Sequence, residues 1–109
     1  MITVNLYYTG KNGAARAFAS EMVASGTVAA IRAEEGNLRY EYFFPMDDPE
    51  TVLLIDQWRD QASVDDPHAS PMMARIAALR EKYDLHMRAE RYLNDDNALS
   101  EQDMKYIKR

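Results

Sequence analysis

The chain contains no cysteine. Disulfides, thiolate nucleophiles, iron–sulfur clusters and zinc held on sulfur are therefore excluded. Only two histidines occur among its 109 residues, so any metal centre would have to be completed by carboxylates. Glycine and proline number four each, which removes collagen-like and linker-rich chains from consideration. Positive charge is also scarce: 13 basic residues face 18 acidic ones, for a net charge of −5. Nucleic-acid binding by phosphate tracking needs clustered positive charge and is disfavoured. No apolar run approaches the length of a membrane span. The opening MITVNLYY has no basic stretch ahead of an apolar one, so it does not read as a signal peptide and the expected location is cytoplasmic.

Several motifs are missing as well. There is no Gly-rich phosphate loop, no His-Glu-x-x-His zinc signature and no nucleophile elbow. The DDPE and DDPH stretches are turn chemistry ahead of proline and lack the alternating acidic spacing of a calcium loop. A metal site is therefore not expected.

What is present is a patterned globular chain, 47% hydrophobic and of single-domain length. Residues 2–8 alternate Ile2, Val4, Leu6 and Tyr8 against Thr3, Asn5 and Tyr7, a strand pattern. Asn12 is a plausible N-cap for an Ala-rich helix over 14–24 whose apolar stripe carries Phe18 and Met22. A short helix follows from Thr27 and is stopped by Gly36. Residues 37–44 and 51–58 read as a pair of strands, and 60–66 as a short helix broken near Asp66-Pro67. A longer helix from about Pro71 to Tyr83 buries Met72, Ile76 and Leu79, and a fourth strand spans 85–93. A polar loop and a short helix with Met104 and Ile107 end the chain.

The order βααββαβ, counting both crossovers, predicts an α+β, ferredoxin-like split βαβ domain with helices on one face of a four-stranded antiparallel sheet. The other strand parity should then be polar. Instead it is expected to carry Tyr7, Phe43, Leu53 or Ile55, and Met87. An apolar second face needs a cover, and a second copy of the chain is the economical one, with the tail 94–109 reaching over the partner.

Candidate chemistry is thin. His68 is either a general acid/base near neutrality or a helix-end residue satisfying backbone groups. Asn5 stands in the middle of an apolar strand, where its amide must find backbone, water or ligand. Trp58 reads as a core or pocket-wall residue, and either Tyr40 or Tyr42 could turn its hydroxyl to a cavity. His86, beside Arg88 and Glu90, reads as a solvated or interface residue, and Glu34 and Glu35 as a solvated helix end.

The segments AIRAEEGNLRYEYF, LLIDQWRDQASVDDPHASPMM and LHMRAERY together resemble the antibiotic biosynthesis monooxygenase family, including its quinol monooxygenases. The resemblance spans about residues 2 to 93. It rests on Glu35-Gly36-Asn37 leading the second strand, Asp56 and Trp58 ending the third, and His68 following. It implies a dimeric α/β barrel and a pocket between sheet and helices. It also implies oxidation of quinols or polyphenolic compounds by O₂ without flavin, metal or haem. By resemblance, Asn5 and Trp58 line the pocket and His68 assists proton transfer, so His68 and Asn5 are the catalytic candidates, with Tyr40, Tyr42 and Arg32 as further pocket candidates; Pro67 beside His68 departs from the pattern and re-aims the imidazole. Two alternatives remain open: an isomerase or degradative enzyme for a small phosphorylated, autoinducer-2-type signal, with Arg32 and Arg39 as phosphate ligands, and a non-catalytic small-molecule-binding dimer. Haem degradation is disfavoured, because Pro67 and Ala77 stand near where that subgroup places its other two residues.

Overall fold

The computed structural model of the chain describes residues 1–65, 70–95 and 99–108. Its elements run β1 (Ile2–Thr9), α1 (Ala14–Ala24), α2 (Thr27–Arg32), β2 (Asn37–Phe43), β3 (Thr51–Trp58), α3 (Gln61–Val64), α4 (Ser70–Lys82), β4 (His86–Leu93) and α5 (Glu101–Met104). The four strands form one antiparallel sheet in the order β2-β3-β1-β4. That is the ferredoxin-like, α+β arrangement the element order predicts.

One sheet face is closed by helices. Tyr8 and Leu54 from the strands pack with Phe18 and Met22 of α1, Val28 and Ile31 of α2, and Ile76 of α4. Phe18 sits at the centre, its ring 5.0 Å from that of Tyr8 and edge-on to Tyr42 and Tyr83 at 6.4 Å. Helix α4 is tied down at its far end, where Tyr83 Oη and Lys82 Nζ both donate to Glu21 Oε1 of α1. Met72 and Leu79 are partly buried against the core, as the stripe on α4 predicts.

Helix starts differ from the sequence reading. Asn12 does not cap α1: Gly13, in the left-handed region at φ 79°, occupies the cap, and its N–H donates to Glu50 Oε1 at 3.1 Å. Glycine alone adopts this conformation without strain, which a side-chain cap pattern does not reveal. Gly26 caps α2 in the same way. Asp60 is a conventional cap, accepting from the Ser63 N–H at 2.8 Å to start α3.

On the open face lie Tyr7, Phe43, Leu53 and Ile55, each half-buried within one chain. Met87 is not among them. The register pairs Met87 with Tyr8 and places His86 opposite Thr9, so the β4 parity puts Met87 on the helix side, about half exposed. His86, Arg88 and Glu90 share the open face, with Arg88 over the Tyr7 ring at 4.1 Å and paired with Glu90 at 3.2 Å.

Candidate active site

Strand β3 carries a carboxylate where its pattern calls for an apolar side chain. Val52, Leu54, Asp56 and Trp58 alternate on the helix side, and Asp56 lies between Val4 of β1 and Tyr40 of β2. An irregularity in β2 between Asn37 and Arg39 lets Leu38 bulge outward and turns Asn37 inward opposite Trp58. Asn37 Nδ2 then donates to Asp56 Oδ1 at 3.3 Å. Gly36 makes this bend possible. It has φ 90°, and a Cβ there would overlap the Ser63 side chain. Its carbonyl accepts from the Arg59 N–H at 2.8 Å.

Burial pushes the Asp56 carboxyl up to about 6, against the opposing pull of Trp58 and Asn37, and the charge of Glu34 raises it further. The carboxyl opens onto a cavity of about 100 Å³ between the sheet, α2 and α4. Its walls are Leu6, Ile31, Leu54 and Ile76, closed by Met72 and Met73; its polar lining is Asp56, Glu34, Tyr40 and Arg80. Arg80 Nη2 donates to the fully buried Tyr8 hydroxyl at 2.9 Å, while Arg80 Nε is buried and has no hydrogen-bond partner among the described residues. Burial raises the Tyr8 phenol, with Arg80 pulling the other way, and raises those of Tyr40 and Tyr42 much further, so all three remain protonated donors at neutral pH. The cavity thus offers a base poised near neutrality, one guanidinium and apolar walls.

The expected site residues distribute unevenly. Tyr40 lines the cavity. Trp58 is a core residue 8% exposed, and its indole steadies Asp56. Tyr42 packs edge-on to Tyr40 at 5.8 Å, in the core. Arg32 points elsewhere: its Nε donates to the Tyr40 carbonyl at 2.9 Å, beside a separate surface groove with Asn37 and Arg39. Asn5 corrects the expectation of a pocket shared with Trp58. It pairs with Ile55 and Glu90 on the open face, whereas Trp58 pairs with Ile2 on the helix side, and strand period two separates them by the thickness of the sheet. Its Oδ1 is buried and has no hydrogen-bond partner among the described residues. His68 and Pro67 lie outside the described residues.

Two cavity residues, Glu34 and Arg80, escape a sequence reading, and Asp56 enters it only as part of the family resemblance. Glu34 reads as part of a solvated helix end, yet lines the cavity half-buried. Arg80 looks like an ordinary C-terminal helix charge. Asp56 did leave a signal, a carboxylate in phase with Val52, Leu54 and Trp58. A larger groove of about 480 Å³ on the opposite face, lined by Tyr7, Thr9, Asp48, His86 and Arg88 among others, is shallow and open to solvent. Its cation Arg88 is already paired with Glu90, so the smaller, less open cavity is the better chemical site.

The family model described as antibiotic biosynthesis monooxygenase matches residues 1–79, well over half of the chain. The chain belongs to the antibiotic biosynthesis monooxygenase family. It is 33% identical over 64 residues to YcnE of Bacillus subtilis, a protein provisionally named a monooxygenase. That match covers 59% of this chain and 65% of YcnE, just under two thirds of the relative's length. A Deinococcus radiodurans protein provisionally assigned to the family superposes with a TM-score of 0.77 at 15% identity, covering 92% of this chain and 98% of the other. SnoaB from Streptomyces nogalater, described as a cofactor-independent oxygenase, gives 0.70 at 19% identity, with 88% and 94% covered. At those identities the superpositions show the shared fold. PA3566 from Pseudomonas aeruginosa gives 0.71 at 26% identity over 85% of this chain and 92% of its own.

Proposed function

We propose that this antibiotic biosynthesis monooxygenase family member oxidises a quinol or related electron-rich phenol with O₂ and without a bound cofactor. The observation that carries the reading is the half-buried Asp56 carboxyl, raised to about 6 and facing a cavity that also holds Arg80. At neutral pH Asp56 is mostly ionised and takes the phenolic proton on its carboxylate oxygen. Arg80, whose Nε has no acceptor among the described residues, stabilises the phenolate left behind. Once deprotonated, an electron-rich ring passes electrons to O₂ directly. A ring C–H carbon forms the bond to oxygen, and the resulting peroxide loses water as the O–O bond breaks. The quinol and O₂ together give a hydroxylated quinone and one water; the substrate loses four electrons, and no outside reductant is needed. Family kinship and the SnoaB likeness agree with this chemistry.

A phosphorylated substrate fits less well. Two carboxylates, Asp56 and Glu34, line the cavity against one guanidinium. Arg32 and Arg39, the candidate phosphate ligands, both lie outside it: Arg32 Nε donates to the Tyr40 carbonyl at 2.9 Å and Arg39 is paired with Glu41 at 3.0 Å.

The homodimer belongs to the same proposal. Tyr7, Phe43, Leu53 and Ile55 on the open face give a second copy of the chain an apolar surface to cover. Analytical ultracentrifugation is expected to show a dimer, and a monomer at micromolar concentration would remove this element.

The activity is tested by O₂ uptake on a panel of reduced quinones, with product mass spectrometry under ¹⁸O₂. One labelled oxygen is expected in the quinone product and the other in water. Uptake no faster than autoxidation across the panel would contradict the reading. The same assay on His68→Ala decides whether that imidazole takes part: unchanged uptake removes it from the mechanism.

A further inference from the structure

The dimensions of the cavity restrict the substrate further, an inference that rests on the quinol reading of the same site. A closed apolar cavity of about 150 Å³ is enough to hold one benzene ring. Here the space is about 100 Å³, already smaller than that yardstick. Four of its walls cannot retreat cheaply: Ile31, Tyr40, Leu54 and Ile76 are all at most 4% exposed and belong to the main core cluster. Interiors at native density do not yield to insertion without moving their neighbours. Of the other lining groups, Leu6 is held in the interior strand β1 and Asp56, Glu34 and Arg80 are polar, which leaves Met72 and Met73 as the apolar side chains able to swing aside. Met73 is 54% exposed and Met72 only partly buried, and both are unbranched, adaptable side chains at the start of α4.

We infer that the site takes a single-ring dihydroxyarene, of the hydroquinone or catechol class, and rejects fused polycyclic phenols. A swing of Met72 and Met73 makes room for one ring between Asp56 and Arg80. A three-ring anthrone would have to displace the core side chains that hold α2 and α4 onto the sheet. The methionines are thus the specificity-determining residues, and their size sets the largest ring system admitted.

Binding tests this separately from turnover. Under anaerobic conditions, quenching of the emission of Trp58, the only tryptophan, is titrated with hydroquinone, catechol and 1,8-dihydroxyanthrone. Wild type is expected to bind a single-ring compound at least tenfold more tightly than the anthrone, and Met72→Ala to narrow that preference to threefold or less. The anthrone binding wild type as tightly as the single-ring compounds, or no binding of any of them, would overturn the inference. An unchanged preference in both Met72→Ala and Met73→Ala would overturn the role of the methionines. Since no oxygen is present, a size preference without turnover would leave this inference standing while the oxygenase reading fell. Turnover of the anthrone by wild type would do the reverse.

Discussion

Asn37 and Asp56 face each other across the β2–β3 pair, the amide donating to the carboxylate at 3.3 Å. The contact joins a backbone irregularity to a functional group. Without the bend after Gly36, Asn37 would follow the regular pleat and the carboxylate would lose one of its two neutral donors, the other being the Trp58 indole. Asn37→Ala is expected to raise the Asp56 pKa beyond about 6, because a hydrogen bond favouring the ionised form is lost. Carbon-detected NMR titration of the Asp56 carboxyl measures it directly.

Asp56 also sets a pH dependence of stability. Its folded value, about 6, lies above the ordinary 3.8, so the folded state binds the extra proton. Its contribution is fully present below about pH 3.8 and is lost as pH rises through 6. Each tenfold change in proton affinity is worth about 1.36 kcal/mol, so the rise from 3.8 to about 6 amounts to about 2–3 kcal/mol. Solvent screening of a half-buried group reduces that to about 1–2 kcal/mol. Asp56→Asn is therefore expected to be more stable than wild type at pH 7.5, with the advantage vanishing near pH 4. Urea melts at the two pH values check both sign and size.

Arg80→Met is expected to cost about 1–3 kcal/mol of stability, since the buried Tyr8 hydroxyl loses the donor held at 2.9 Å. Its second consequence is kinetic. With no cation to stabilise the phenolate, kcat should fall more than KM rises, which steady-state kinetics on a quinol resolves.

Gly36→Ala is expected to destabilise the fold by at least about 1 kcal/mol, from the unfavourable φ of 90° and the clash with Ser63. Adding Ser63→Gly removes the clash but not the strained φ, so the double variant should recover only part of the lost Tm.

The architecture was legible because strand and helix periodicities are strong in this chain. Phe18 with Met22, and Ile76 with Met72, announce the faces that α1 and α4 bury. The site was less legible. Glu34 sits where a helix end meets a polar loop, a place usually given to solvent, and only the packing of α2 and α4 turns it inward. Arg80 is four residues from Ile76 on α4, but nothing in the sequence indicates that Tyr8 awaits it 72 residues away. Asn5 misled because an amide in an apolar strand draws attention regardless of which face it occupies. Its parity places it opposite the cavity, and Asn5→Ala is expected to leave the KM for quinol unchanged.

The most direct test is the pH profile of kcat/KM for quinol-dependent O₂ uptake, in wild type and in Asp56→Asn. A carboxylate base must be ionised to act, so the wild-type profile should rise with an apparent pKa near 6 and level off above pH 7. Asp56→Asn should lose about 10²-fold or more on the plateau and show no limb near 6. A wild-type profile flat from pH 5 to 8, or an Asp56→Asn enzyme as fast as wild type, would contradict the assignment of Asp56 as the base.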